Sequence, residues 1–358
     1  MDQLLIYYIV YFLIFFLNCI GLHLYKNNKN KIFGKVFLIL GFVLLLSFIG
    51  FRYNVGTDYK YYIQYFDKIK LLNFNNIFNF DWEYGAVILF KLISLFFNNN
   101  KIIFFFIGIL QLYPIYKINK LNDYKYLPYS ILVFCFTFLP FYFNGMRQGI
   151  AISFVLLVFY YLIKKSYLKS TISFIIGFLF HKSILLFLPY IILYFIVKNE
   201  KYRKYSILIT IVISIIILFF FKDLANTIDL SDYTYLINKI DANRISFLLI
   251  VLYIPKLLLL FLLFKKNNEE YSKYYGLYIN GIILDIIGTS ARFLSRISYY
   301  FLIFEILLFP YIIQNINNKK IRLLIKTIYV LYLIIYFAYW FYFSGKQGIF
   351  PYDVWIFK

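Results

Sequence analysis

The chain has 358 residues, 63% of them hydrophobic, with a mean hydropathy of +0.75 and a formal net charge of +21. That composition excludes a soluble domain, which needs far more polar surface to stay in solution. The charge does not point to nucleic acid, because the basic residues gather in short loops between apolar runs, where the positive-inside rule puts them.

Apolar runs long enough to cross a hydrocarbon core of about 30 Å recur along the sequence, so it reads as an all-α polytopic membrane protein. It forms a single integral membrane domain over residues 1–358, with about 10–12 transmembrane helices plus a re-entrant segment. Asp2 and the absence of a basic n-region argue against a secretory signal peptide. The first positive charges, Lys26, Lys29, Lys31 and Lys35, follow the first run and leave the N-terminus outside. Spans are then expected near Leu4–Leu22, Val36–Gly50, Ile102–Ile118, Leu127–Phe143, Arg147–Ile163 and Tyr205–Phe221. Further spans fall near Ile245–Phe264, Tyr274–Ile287, Ser298–Ile313 and Arg322–Phe343. Lysines mark the inner loops. The outer segments are about 51–83, 222–244 and 288–297, with an external tail over 344–358.

Two stretches do not fit as simple spans. Tyr84–Phe97 would be about 21 Å long as a helix, too short to cross, and reads as re-entrant or interfacial. Thr171–Val197 has Lys-rich flanks at both ends and reads as two short helices turning near His181. Such a turn is tolerated only where it is buried in protein or lines a watery cavity.

Seven of the 37 basic residues are Arg, and five of these (Arg52, Arg147, Arg244, Arg292 and Arg296) fall on the outer side, against the topological trend. A guanidinium there offers a planar fork for phosphate or carboxylate oxygens and keeps its charge in a partly dry site. The plainer role is pairing with outer acids or lipid head groups. Arg147 starts a helix, where the N-terminal potential also favours an anion. Asp58 reads either as an N-cap of a short helix from Tyr59 or as a site residue, and Glu83 either as a first-turn acid or as a ligand. His181 is an ionisable group at membrane depth and a candidate proton acceptor. His23 borders an inner loop, and Cys19 and Cys135 stand isolated in apolar runs. No nucleotide, zinc or Asp-x-Asp signature is present, and Asp229–Asp232 has the wrong spacing for one. No cofactor or metal is expected.

The run Phe51-Arg52-Tyr53-Asn54-Val55-Gly56-Thr57-Asp58-Tyr59 resembles the arginine and Gly-Thr-Asp-Tyr motif of the EpsG family of bacterial polysaccharide polymerases, relatives of the Wzy O-antigen polymerases. Glu83-Tyr84-Gly85, Asn144 through Ala151 with Arg147-Gln148, Phe180-His181-Lys182-Ser183, and Arg296 through Tyr300-Phe301 are similar to further motifs of that family, in order. The resemblance implies a GT-C-like polymerase architecture. It also implies a metal-independent glycosyltransferase joining undecaprenyl-pyrophosphate-linked oligosaccharide repeat units at the outer face of the cytoplasmic membrane. The growing glycan would pass to the non-reducing end of a new lipid-linked unit, and a chain-length regulator is a further partner to look for. Under that resemblance Arg147, Arg296 and Arg52, supported by Arg292, hold the pyrophosphate, and His181 or Asp58 is the base. Gln148, Tyr59, Tyr300 and Glu83 orient sugar or phosphate. The competing readings are a lipid-linked oligosaccharide flippase, an O-antigen ligase, a membrane O-acyltransferase and a structural scaffold. Clustering of the candidates at one face favours an enzyme over a transporter.

Overall fold

The computed structural model describes residues 3–197, 247–264, 269–288 and 292–357, with Tyr205, Leu208, Ile209 and Val212. The expected span Tyr205–Phe221, the loop 222–244 with Arg244, and much of Lys265–Lys273 lie outside the described residues. The chain is an all-α polytopic membrane protein. Among the described residues, six helices are long and apolar enough to cross a bilayer, or seven if one bent pair counts as a span, and five apolar helices are shorter. The chain divides into two compact units, residues 1–181 with 324–358, and residues 182–323.

The first unit is built from α1 (Gln3–Lys26), α2 (Lys31–Gly50), α3 (Tyr59–Leu71), α4 (Tyr84–Phe96), α5 (Ile103–Asn119), α6 (Leu127–Asn144), α7 (Met146–Ile163) and α8 (Tyr167–Phe180). Pro140 cannot donate to the turn before it, and α6 widens into a π turn at Phe134–Phe138 just ahead of it. At the lysine-rich end, the Tyr25 and Tyr124 rings meet at 5.6 Å, and Lys117 lies 5.5 Å from the Tyr160 ring centre. At the opposite end gather the start of α1, the ends of α2 and α6 and the start of α7, with non-helical chain between them. As expected, α4 is short, with 13 residues, fewer than the roughly 20 that a helix needs to cross.

The external tail expected over 344–358 is not a free tail. After the last helix of this unit, which enters from the second unit as Lys319–Phe337 and ends in a π turn at Phe343, the chain folds back over the non-helical end. Asp353–Val354 pairs antiparallel with Arg52–Tyr53. The Tyr352 ring stacks on Phe48 at 4.3 Å, its hydroxyl donates to the Phe48 carbonyl at 2.6 Å, and Trp355 Nε1 donates to the Gly50 carbonyl at 3.0 Å. The physical reason is polar satisfaction. The last carbonyls of α2 have no helical partner and take these donors instead.

The second unit contains α9 (Leu188–Val197), α10 (Phe247–Phe264), α11 (Glu269–Ile287), α12 (Arg292–Leu302) and α13 (Glu305–Gln314). Two expectations are corrected here. Residues from Arg292 onward are helical, not part of a loop ending at Ile297. The single span Ser298–Ile313 is also two helices, bent by 42° between Leu302 and Glu305. The bend coincides with Glu305, which is buried in the first turn of α13 and held from its neighbours. Lys256 Nζ lies 2.8 Å and the Tyr278 hydroxyl 3.0 Å from Glu305 Oε2. Asp285 accepts from the Tyr253 hydroxyl at 2.7 Å and from Ser298 Oγ at 3.3 Å.

A buried ion pair is costly to break, because the surviving charge is left without compensation. Glu305→Ala should therefore destabilise the protein by about 3–5 kcal/mol. The double change Lys256→Met with Glu305→Leu should cost much less. Thermal unfolding of the purified protein in detergent checks both.

Candidate functional site

The non-helical end of the first unit is organised around two arginines and one asparagine. Asn144 is the last residue of α6, and its side chain is buried. Its Oδ1 accepts from Thr57 Oγ1 at 3.1 Å and from the Asp58 N–H at 3.3 Å. Its Nδ2 lies 2.7 Å from both the carbonyl and the side-chain oxygen of Gln347. Two segments distant in sequence, 57–58 and the turn at Gln347, are thus tied to one carboxamide. Gly56 closes the joint. Its φ is +94°, a Cβ there would lie 2.6 Å from Asn144 Oδ1, and its N–H donates to the Gly348 carbonyl at 2.9 Å. Asp58 precedes α3, but its carboxylate caps no helical N–H and instead takes Thr57 Oγ1 at 3.0 Å.

Arg52 and Arg147 hold opposite positions. The Arg52 guanidinium is 1% exposed and lies between the rings of Phe104 and Phe143, at 4.6 and 4.4 Å. Its Nη2 donates to the Phe143 carbonyl at 3.3 Å and sits 3.2 Å from Met146 Sδ, while among the described residues Nε and Nη1 have no hydrogen-bond partner. Burial lowers its pKa to about 10, against the opposing influence of Tyr59, Tyr352, Tyr7 and Tyr62. It remains a cation at neutral pH.

Arg147, the second residue of α7, is partly exposed. Its N–H donates to the Tyr62 hydroxyl at 3.2 Å, its guanidinium lies 4.3 Å from the Trp82 ring centre, and Nη1 pairs with Glu83 Oε2. Trp82 is itself backed by Tyr65, stacked at 4.3 Å. Cation–π stacking fixes the plane of the guanidinium, and the ion pair fixes one edge. Burial raises the Tyr62 phenol, which Arg147 opposes, and raises Tyr59 to about 12, which Arg52 opposes. Both stay neutral at physiological pH, so Glu83 is the carboxylate that meets Arg147.

The expected residues fall into separate groups. Arg147 and Glu83 are together. Arg52 sits behind them, joined through Met146. Tyr59 packs on Phe104 at 4.6 Å, and Gln148 is buried in the first turn of α7. His181 follows α8 with an extended backbone and a buried side chain, where the helix breaks as expected. The start of α4 packs against this helix end, because a Cβ on Gly85 would lie 2.7 Å from the Leu179 carbonyl oxygen. In the second unit, Tyr300 shares a 2.9 Å hydrogen bond with Ser183, so two of the sequence motifs meet there. Arg296 is exposed one turn before Tyr300 on α12, and Arg292 opens that helix.

Trp82, Tyr62, Asn144 as the joint, and Gln347 with Gly348 are contributions that sequence reasoning missed. Signals existed for two of them. Trp82 is one of three Trp and adjoins Glu83, and the Gly345–Gly348 pair marks a turn after a helix. Lys256 and Glu305 were also passed over, although a lone ionisable residue in an apolar run is itself a signal. Among the described residues no group of three or more His, Cys, Asp or Glu is placed to hold a metal ion.

These features define a helical membrane protein with a cationic, hydrogen-bonded site at one end of its first unit. The EpsG family profile matches residues 35–354, and the chain belongs to the EpsG family. That membership makes it a polysaccharide polymerase-type membrane protein. The match runs from within α2 through the Asp353–Val354 strand, so the returning segment up to that strand lies inside the family's own span. No curated protein and no solved structure matches the chain.

Asn144→Ala removes every bond of that carboxamide and leaves buried groups unpaired, each costing about 1–3 kcal/mol. Asn144→Asp keeps the acceptor for Thr57 and loses the donor to Gln347. Alanine should lower the unfolding temperature more than aspartate, and limited proteolysis should cut within 345–352 in both.

Proposed function

We propose that this protein polymerises oligosaccharide repeat units carried on undecaprenyl pyrophosphate, at the outer face of the cytoplasmic membrane. The growing glycan on one lipid is the donor, and a hydroxyl at the non-reducing end of a new lipid-linked unit is the acceptor. The observation that carries this reading is Arg147, fixed at a helix N-terminus by Trp82 and Glu83 in a partly exposed position. Glycosyl transfer from a lipid pyrophosphate needs positive charge where the leaving oxygen becomes negative, and a forked donor at a helix N-terminus supplies it. Arg52, buried behind the same helix start, adds positive potential without presenting a fork. Asp58 and His181 are acceptor-side candidates from the same unit, and Gln148 and Tyr59 support the helix and loop from behind. Arg292, Arg296 and Tyr300 remain the second unit's candidates for the substrate.

Deleting the gene should leave single repeat units on lipid and at the surface, and wild type should restore the ladder on gels. Arg147→Ala should fail to restore it. Arg147→Lys keeps the charge and loses the fork, and should restore at most a weak ladder. Normal ladders from both variants would remove Arg147 from the leaving-group role. Accumulation of repeat units on the cytoplasmic face would identify a transporter. For Arg52, replacement by Met removes a buried charge with two unpaired donors. The unfolding temperature should stay near or above that of wild type while polymerisation falls, which separates a functional charge from a structural one.

A further inference from the structure

A carboxylate that already holds the guanidinium stands where a pyrophosphate must bind. Glu83 precedes α4 at the N-cap position, yet its side chain makes no cap bond. It reaches Arg147 instead, through Oε2, and among the described residues its second oxygen takes no hydrogen bond. The side chains of both partners keep some exposure, 26% for Arg147 and 14% for Glu83, so an incoming anion can reach the pair. Trp82 holds the guanidinium plane independently of Glu83, so Arg147 keeps its place when the carboxylate leaves.

We infer that Glu83 is an exchangeable anion and the proton acceptor of the reaction. This rests on the polymerase reading above. The donor pyrophosphate displaces Glu83 from Arg147, and the freed carboxylate is then available to the acceptor hydroxyl. The acceptor hydroxyl gives its proton to Glu83 as its oxygen bonds to the anomeric carbon. The bond from that carbon to the pyrophosphate oxygen breaks, and its electron pair leaves on the oxygen facing Arg147. Charge and atoms balance without a further reactant. The base is thereby armed only when a donor is in place, which limits loss of the glycan to water. Asp58 is less suited, since its carboxylate is tied to Thr57 within the Asn144 joint. His181 is buried after the last turn of α8.

The test uses full-length wild type, Glu83→Gln and Glu83→Asp in nanodiscs, with inorganic pyrophosphate as the binding probe and lipid-linked repeat units as substrate. Glutamine keeps the volume and cannot compete for Arg147 as an anion. Glu83→Gln should bind pyrophosphate several-fold more tightly than wild type, while turnover falls by about 10²–10⁴-fold. Glu83→Asp keeps a carboxylate and should recover turnover well above the glutamine variant. A purely structural role predicts weaker pyrophosphate binding by Glu83→Gln together with a lowered unfolding temperature, and that result overturns the inference. So does near-normal turnover by Glu83→Gln, or an aspartate variant no faster than glutamine. Wild type that joins no repeat units would instead bring down the polymerase reading itself.

Discussion

In a bilayer a backbone N–H or C=O can bond only to another part of the protein, so the chain leaves its helices only where something else takes over those bonds. In the first unit that handover is concentrated at one end, and the Asn144 carboxamide is its centre. Its acceptor serves the loop after α2, its donor serves the turn around Gln347, and its own backbone ends α6. Arg147 comes three residues later, after Gly145 and Met146 have turned the chain into α7. The position of the arginine is therefore inherited from a joint whose centre is an uncharged carboxamide.

The two arginines at this end divide the tasks that a cation can perform. Arg52 is enclosed by aromatic faces, which repay part of the cost of burying charge but leave two donors unused. A fold alone gains little from such a group, since an apolar side chain of similar volume would fill the space. Arg147 meets the Trp82 ring, the Tyr62 hydroxyl and the Glu83 carboxylate, each on a different part of the residue. The first arginine fixes a potential, and the second presents a fork.

Sequence made the helical class and the long apolar spans legible because lipid imposes a long apolar period that little else produces. The short α4 and the break at His181 were legible for the same reason, as places where the length and the flanking charges disagree. The pairing of Arg147 with Glu83 was not, because contacts between residues so far apart leave no local period. The returning segment 345–357 was missed since its composition suits an exposed tail, and only its partners, the free carbonyls at the end of α2, give it a place. The bend before Glu305 was hidden by an apolar run whose one acid looks like noise until Lys256 and Tyr278 are seen beside it.

The bond from Trp355 to the Gly50 carbonyl links residues 305 apart in the chain. At synthesis rates of about 5–20 residues per second, roughly 15–60 s separate the emergence of one partner from that of the other. Throughout that interval the Arg52 loop stands without its pairing strand, with the end of α2 uncovered. A nascent chain in this state carries its arginines without the turn that anchors Asn144. The machinery that inserts it must shield those carbonyls, or water must reach them, until residues 345–355 arrive. Assembly of the site thus waits on residues 345–355, and a chain interrupted before them carries the site incomplete.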